Sequence, residues 1–181
     1  LVLVNAERGN ISLHFNQVDT AWGEASFANE HPSTANKPLQ AGASWYVATT
    51  GNNTNDCATT FTPCATIQGA IDKAAAGDTI YVADGIFTGT NLDVVTITKS
   101  IILSGGWNSE FDTQTGYSTV YGQNTRRGIK VSNSPSVAID HFIVKHGQAY
   151  QGGGIQIFNS TVSLDYMLIF YNTALTTSGG G

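Results

Sequence analysis

The sequence carries little charge. Only 12% of its 181 residues are Asp, Glu, Lys or Arg, against roughly 25% in ordinary soluble domains. Eight basic residues stand against thirteen acidic ones, a net charge of −5, so the clustered Lys and Arg on which nucleic-acid binding depends are missing. No apolar run approaches the ~20 residues of a membrane-spanning helix. We therefore expect neither a nucleic-acid partner nor a transmembrane segment.

Cysteine is also scarce. The two cysteines, Cys57 and Cys64, lie in a loop-like stretch, GNNTNDCATTFTPC. Without nearby histidines they supply too few ligands for a metal site. A disulfide that closes the loop is the expected state, and two buried free thiols are the alternative.

Several features bear on the cellular location. N-x-S/T sequons begin at Asn10, Asn52 and Asn159 and are candidate glycosylation sites, although a chain so rich in Asn and Thr produces such triplets by chance. The chain starts with Leu and carries no targeting segment. Either a signal peptide has been removed, or the chain is a fragment of a longer protein. Together with the expected disulfide, this indicates an extracellular or cell-surface protein.

Gly, Thr, Ser and Asn are abundant, which is typical of a β protein with many turns. Residues 1 to 44 contain candidate strands at 1 to 4 and 11 to 18, followed by a polar stretch with two prolines, and we interpret them as an arm or linker.

One helix is predicted, at residues 66 to 76. Ile67, Ala70, Ile71 and Ala74 recur at the spacing of one helix face. Thr66 can cap its start, and the glycine that follows Ala76 can end it.

The second half of the chain repeats. The segment VAIDHFIVKHGQAY, from Val137, matches VSLDYMLIFYNTAL, from Val162, at an offset of 25 residues. GIKV, from Gly128, matches GIQI, from Gly154, at an offset of 26. A degenerate copy, VTITKSIILSGG, precedes them at an offset of 42. A period in the twenties with β content predicts a parallel β-helix solenoid, whose interior would hold Ile139, Phe142, Val144, Ile155, Ile157, Leu164, Met167 and Ile169.

The stretch WYVATTGNNTNDCATTFTPCATIQGAIDKAAAGDTIYVADGIFTG resembles the opening of secreted bacterial right-handed parallel β-helix proteins of the pectate-lyase-like superfamily. The resemblance covers residues 45 to 181. It implies an all-β, right-handed parallel β-helix with a cap at residues 45 to 78, including one short N-terminal helix, and repeats that continue or are covered beyond residue 181. The superfamily includes polysaccharide lyases and hydrolases, adhesins and members without known activity, so the fold transfers better than the function.

Two carboxylates are weak candidates for catalysis. Asp140 and Asp165 occupy equivalent positions of adjacent repeats, and a retaining glycosidase holds its two carboxyls ~5–5.5 Å apart. The same pair could contribute to a Ca²⁺ site, or both residues could simply mark turns. His141 and His146, five positions apart on a strand, are expected on opposite faces as surface residues.

Aromatic residues are numerous beside so few charges. Flat rings next to Asn, Gln and Asp suit sugar binding and suit a protein interface equally well, while some of the rings could belong to the core. The candidate carbohydrate or partner surface comprises Trp107, Tyr121, Tyr150 and Tyr171, accompanied by Tyr117, Phe158, Tyr166 and Phe170.

No catalytic motif is present. We expect an extracellular, non-enzymatic surface or structural protein, adhesive or self-assembling, with no required cofactor and with polysaccharide or neighbouring subunits as partners. The arm at residues 1 to 44 could add strands to the next copy and build a head-to-tail filament; otherwise, a longer chain would cover the last repeat. The alternatives are a polysaccharide lyase or glycoside hydrolase, and a carbohydrate-binding module of a longer secreted protein.

Overall fold

Strands dominate the computed structural model, which describes residues 4–7, 11–14, 42–134 and 136–175. One helix, α1 (Ile67–Lys73), accompanies them. The sequon at Asn10 and parts of the two strands predicted in the arm lie outside the described residues. In chain order the strands are β1 (Val4–Glu7), β2 (Ile11–His14), β3 (Ser44–Val47), β4 (Thr79–Ala83), β5 (Gly85–Phe87), β6 (Asp93–Ile97), β7 (Ile102–Trp107), β8 (Ser118–Tyr121), β9 (Arg127–Ser132), β10 (Val137–Lys145), β11 (Gln148–Ala149), β12 (Ile155–Phe158), β13 (Val162–Phe170) and β14 (Thr173–Ala174).

These strands form three sheets in which each strand pairing is parallel. A four-stranded sheet has the order β1-β12-β9-β6. An eight-stranded sheet follows the path β2-β13-β10-β7-β4-β3, with β5 and β8 beside that path, and β11 pairs with β14. The arm strands β1 and β2 therefore pair with β12 and β13 of the same chain.

The strand-rich content and the one short helix of the described residues agree with the sequence analysis, but the predicted right-handed parallel β-helix solenoid is wrong. The four-stranded sheet curls into a half-barrel and does not form one wall of a regular coil. The two main sheets also hold unequal numbers of strands. Parallel pairing between sequence repeats determines which residues are neighbours, but it does not determine how strongly each sheet curves.

The pairing between the two clearest repeats is confirmed. Val137 pairs with Val162 and Asp140 with Asp165, as the offset of 25 predicts. The offset of 42 for the degenerate copy is wrong, because β10 pairs with β7 at an offset of 36. The segment between β7 and β9 explains the error, because it contains β8: the first half of β10 pairs with β7, and its second half pairs with β8.

The predicted interior residues lie in one apolar cluster. Met167 and Ile169 are partly buried against that cluster, whereas their partners Phe142 and Val144 on β10 are fully buried. The other predicted members are fully or almost fully buried: Ile139, Ile155, Ile157 and Leu164.

The helix is shorter than predicted and ends at Lys73. The side chain of Thr66 caps its start by accepting a hydrogen bond from the Gly69 amide. At its other end the Lys99 ammonium donates to the carbonyls of Ile71 and Ala74, at 2.9 and 2.6 Å, which satisfies groups that a helix end leaves unpaired. The helix packs against β3, β4 and β6.

A buried carboxylate ties this region together. Asp78 accepts hydrogen bonds from the Ala43 amide at 2.8 Å, the Trp45 indole at 2.8 Å and the Ala75 amide at 2.7 Å. Burial raises the pKa of Asp78, but these hydrogen bonds, first of all that from Trp45, outweigh it and hold the pKa below its ordinary value. Asp78 thus joins the entry to β3, the exit of α1 and the start of β4.

Candidate ligand-binding surface

The strands β10 and β13 bend at positions with left-handed backbone. His141 and Tyr166 have φ of 56° and 50°, and His146 and Tyr171, just after the strands, have φ of 52° and 55°. This conformation favours Gly and, among other residues, Asn, Asp and His, and it is uncommon for a bulky ring such as that of Tyr. A ring at each of the four positions therefore calls for a reason beyond turning the chain.

Three rings line up at the first bend. The rings of His141 and Tyr166 stack with their centroids 4.6 Å apart and their planes inclined by 20°. Tyr117, which directly precedes β8, lies on the other side of His141 with a centroid distance of 6.0 Å. We call Tyr117, His141 and Tyr166 the first ladder.

A second ladder forms at the other bend. The His146 ring lies 5.4 Å from Tyr121, edge to face, and 5.5 Å from Tyr171. Phe170 adds an edge contact to Tyr171 at 5.1 Å. The second ladder thus comprises Tyr121, His146 and Tyr171.

Apolar side chains lie between the two ladders. Ile143 pairs with Leu168 in the register of β10 and β13, and Leu168 is 45% exposed. We call the two ladders together with Ile143 and Leu168 the ladder face.

The outermost rungs of the ladder face are its most accessible rings, because Tyr166 is 46% exposed and Tyr171 74%. Among the described strands, β2 pairs only with Val162 to Asp165 of β13, so residues 167–170 of that strand have a strand neighbour, β10, on one side.

A network of polar side chains borders the first ladder. Oδ1 of Asp140 accepts hydrogen bonds from Ser104 Oγ at 3.0 Å and from Gln114 Nε2 at 2.8 Å, and Nδ1 of His141 lies 2.8 Å from the same oxygen. Ser104 in turn accepts a hydrogen bond from the Trp107 indole at 3.1 Å. The network holds the His141 ring in place within its ladder.

The two candidate catalytic carboxylates are neighbours across β10 and β13, as the repeat predicts. Asp140 is engaged in the network above, and Asp165 accepts a hydrogen bond from Ser163 at 2.9 Å. Within the described residues, no group of three or more His, Cys, Asp and Glu side chains could hold a metal ion. A Ca²⁺ site at this pair would therefore lack a third acidic or imidazole ligand from that part of the chain.

The remaining predicted site residues are spread over the molecule. Cys57 and Cys64 form the predicted disulfide. Trp107 and Tyr121 are partly buried, the former against Tyr81 and the latter in the second ladder. Tyr150 is exposed between β11 and β12. The two described sequon residues, Asn52 and Asn159, are exposed.

His141 and His146 are the functional candidates that the sequence analysis missed. A count of alternate residues predicts them on opposite faces of a strand, and left-handed residues break that alternation. The aligned repeats already held the correct signal, since His141 falls on Tyr166 and His146 on Tyr171. Rings that recur at one repeat position predict a ladder.

Comparisons with protein-family models, curated proteins and solved structures return no match for this chain. They do not identify the pectate-lyase-like superfamily. No helix of the described residues is both long and apolar enough to cross a membrane.

Proposed function

We propose that this protein is a non-enzymatic, extracellular surface protein that binds an extended carbohydrate through the ladder face. The observation that carries the proposal is the recurrence of rings at left-handed positions, where Asn or Gly would be less strained. Backbone strain of this kind persists at sites of contact more often than elsewhere, which favours a binding role for the rings.

The accessible rings favour an elongated ligand. Tyr166 lies in β13 and Tyr171 directly follows its end, five residues further on, so their α-carbons are separated by at most about 17 Å at the rise of an extended strand. Leu168, which is 45% exposed, lies between them in the sequence. A chain of several sugar units can place its apolar ring faces on such a strip, whereas a single sugar would reach only one end of it.

Charge favours a neutral or basic carbohydrate. The chain carries a net charge of −5, and Asp140 and Asp165 lie beside the first ladder, where they would repel an acidic polysaccharide. Lys145, in the second half of β10, is the nearby cation in the strand register. The carboxylates and the Tyr hydroxyls can instead accept hydrogen bonds from sugar hydroxyls.

Binding accounts for the Asp140 geometry better than catalysis does. Oδ1 of Asp140 accepts hydrogen bonds from Ser104 and Gln114 and also lies within hydrogen-bond distance of His141 Nδ1. A glycosidase acid must deliver a proton to the leaving oxygen, and an oxygen that accepts from several donors is poorly placed for that. We therefore assign Asp140 a positioning role for His141.

The proposal can be tested by affinity electrophoresis in gels that contain hydroxyethyl cellulose, xylan, mixed-linkage β-glucan or polygalacturonate. We expect at least one neutral polysaccharide to retard the full chain more than polygalacturonate does. A double variant with Tyr166→Ala and Tyr171→Ala should lose the retardation. Phe158→Ala removes a similarly exposed ring from β12, outside the ladder face, and should keep it.

Two results would overturn the proposal: equal mobility in every gel, or retardation that survives the double tyrosine variant.

A product assay tests the enzymatic alternative: the same polysaccharides are incubated with the protein and assayed for new reducing or unsaturated ends. Product formation that Asp140→Asn abolishes would favour the lyase or hydrolase alternative.

A further inference from the structure

We infer that a groove beside the disulfide loop is a second binding site, separate from the ladder face, that takes a short neutral oligosaccharide. The groove has a volume of 360 Å³ and lies between the loop that follows β3 and the C-terminal ends of β4 and β7. Sites for small ligands typically measure about 300–1,000 Å³. Its lining includes Thr49, Thr50, Asn52, Phe61, Asp84 and Trp107.

The walls of the groove are held by covalent and backbone bonds. The disulfide between Cys57 and Cys64 closes the loop. The amide of Ala48 donates to the Cys64 carbonyl at 3.0 Å, and the amide of Asn52 donates to the Pro63 carbonyl at 2.9 Å. A site that exists before its ligand arrives loses less entropy on binding.

Asp84 gives the groove an available acceptor. Its side chain is exposed. Within the part of the chain that the structure describes, its carboxylate has no hydrogen-bond or ion-pair partner. By contrast, Asp78, Asp93 and Asp112 accept hydrogen bonds from neighbouring side chains. A free carboxylate can accept two sugar hydroxyls at once.

Other polar groups in the groove complement Asp84. Thr49 and Thr50 each add a hydroxyl that can donate and accept. The side-chain oxygen of Asn52 accepts from the Thr54 amide at 3.0 Å, which leaves its NH₂ group available as a donor. Donors and acceptors in this mixture, without a cation in the lining, fit the hydroxyls of a neutral sugar.

Phe61 supplies the aromatic surface. It lies at the rim of the groove in the disulfide-closed loop and is 93% exposed. A ring held so far out of the core contributes almost nothing to folding, and it can stack on the apolar face of a sugar.

Two further grooves lack this combination of groups. The first, of 350 Å³, lies beside α1 and includes Gln68 and Asp72 in its lining, and the second, of 580 Å³, lies beside β6 and includes Asp93 and Arg126. Neither has an aromatic residue in its lining. The aromatic rim and the free carboxylate therefore distinguish the groove at Phe61.

Titration calorimetry of the full chain with cellotriose, xylotriose, laminaritriose and chitotriose tests the inference. We expect at least one trisaccharide to bind, and Phe61→Ala and Asp84→Asn each to weaken that binding about tenfold, as the loss of one stacking contact or one charged hydrogen bond predicts. Both side chains are exposed, so neither substitution should disturb the fold.

Matched controls come from the same chain. Phe158→Ala removes another exposed phenylalanine, and Asp72→Asn neutralises another exposed carboxylate. Both should bind the trisaccharide within about twofold of the unmodified protein. Tyr166→Ala with Tyr171→Ala should leave trisaccharide binding intact, so this site and the ladder face can fail independently. The inference is overturned if no trisaccharide binds at millimolar concentration, or if the Phe61 and Asp84 variants bind as their controls do.

Discussion

The polar side chains at the two ends of α1, Asn53 and Asp78, and the rings of the ladder face are used in opposite ways. Near α1 these groups bond to the protein itself: Asp78 accepts three hydrogen bonds, and Asn53 accepts from the amides of Ala65 and Thr66. On the ladder face, rings occupy strained backbone positions and stay partly exposed. The first arrangement maximises stability, and the second sacrifices some stability for accessible surface.

A third pair of bends shows what the chain does when only a turn is needed. Asn133 and Asn159 are also left-handed, with φ of 54° and 47°. The Asn159 amide donates to the Asn133 side-chain oxygen at 3.0 Å. Asn tolerates this backbone well and bonds to its counterpart one repeat away. The backbone of such a bend therefore does not require an aromatic ring, since the same fold turns with Asn at Asn133 and Asn159.

The largest effect should come from the inward side of β13, beneath the ladder face. Leu164→Ala removes a buried side chain and should lower the free energy of unfolding by roughly 2–5 kcal/mol. Leu168→Ala, on the outward side, should cost less than about 1 kcal/mol. Urea denaturation of both variants checks the difference. Equal effects would mean that the inward and outward positions are misassigned.

Next in size is Asp78, whose carboxylate organises the region around α1. Asp78→Ala leaves three donors without their acceptor and should cost roughly 2–4 kcal/mol. The low pKa of Asp78 also predicts a pH dependence with a defined sign. Its contribution is complete above the ordinary pKa of 3.8 and is lost as the pH falls through the lower pKa of the folded state.

Denaturation curves of the unmodified protein and of Asp78→Asn between pH 6 and pH 2 (about the range in which aspartates titrate) measure this contribution. The variant should lose less stability on acidification than the unmodified protein does. Asp72→Asn, at an exposed position on α1, serves as the control and should leave the acid dependence nearly unchanged. Parallel curves for all three proteins would contradict the role of Asp78.

The disulfide should have a smaller effect. Replacing Cys57 and Cys64 by Ser opens a short loop, and the chain-entropy model gives about 2 kcal/mol for a loop of this length. Thermal unfolding of the double variant, and of the unmodified protein after reduction, should show the same loss. A variant as stable as the oxidised protein would show that the disulfide does not restrain the unfolded chain.

Strand pairing and the buried face of α1 can be predicted from the sequence, because each depends only on which residues lie next to one another. The offset of 25 places Ile139 beside Leu164, and the spacing of Ile67, Ala70 and Ile71 places one face of α1 in the core. Local patterns fix such relations. The curl of the four-stranded sheet depends on how all its strands twist together, and the resemblance to a regular coil therefore misled.

The rings of the ladder face can be predicted from the sequence, but only by aligning the two repeats. Counting alternate residues from His141 to His146 assumes an unbroken strand, and the left-handed φ of both residues invalidates the count. Likewise, nothing local predicts that Gln114, between β7 and β8, reaches Asp140 on another strand. Contacts made by irregular segments depend on the assembled fold.

The smallest change in stability should come from making the ladder face resemble the Asn bends. Replacing Tyr166 and Tyr171 together by Asn puts a residue that tolerates left-handed backbone at both positions, so the free energy of unfolding should change by less than about 1 kcal/mol. Alanine is strained at these angles, and the Asn variant therefore separates loss of the rings from loss of the turn.

In affinity electrophoresis the Asn variant should migrate as if no polysaccharide were present, while its urea denaturation curve stays close to that of the unmodified protein. A marked loss of stability would mean that the rings hold the bend itself, and retained binding would mean that the carbohydrate lies elsewhere. The reverse exchange, Asn159→Tyr, removes the hydrogen bond to Asn133 and should destabilise the protein by about 1 kcal/mol without creating any binding.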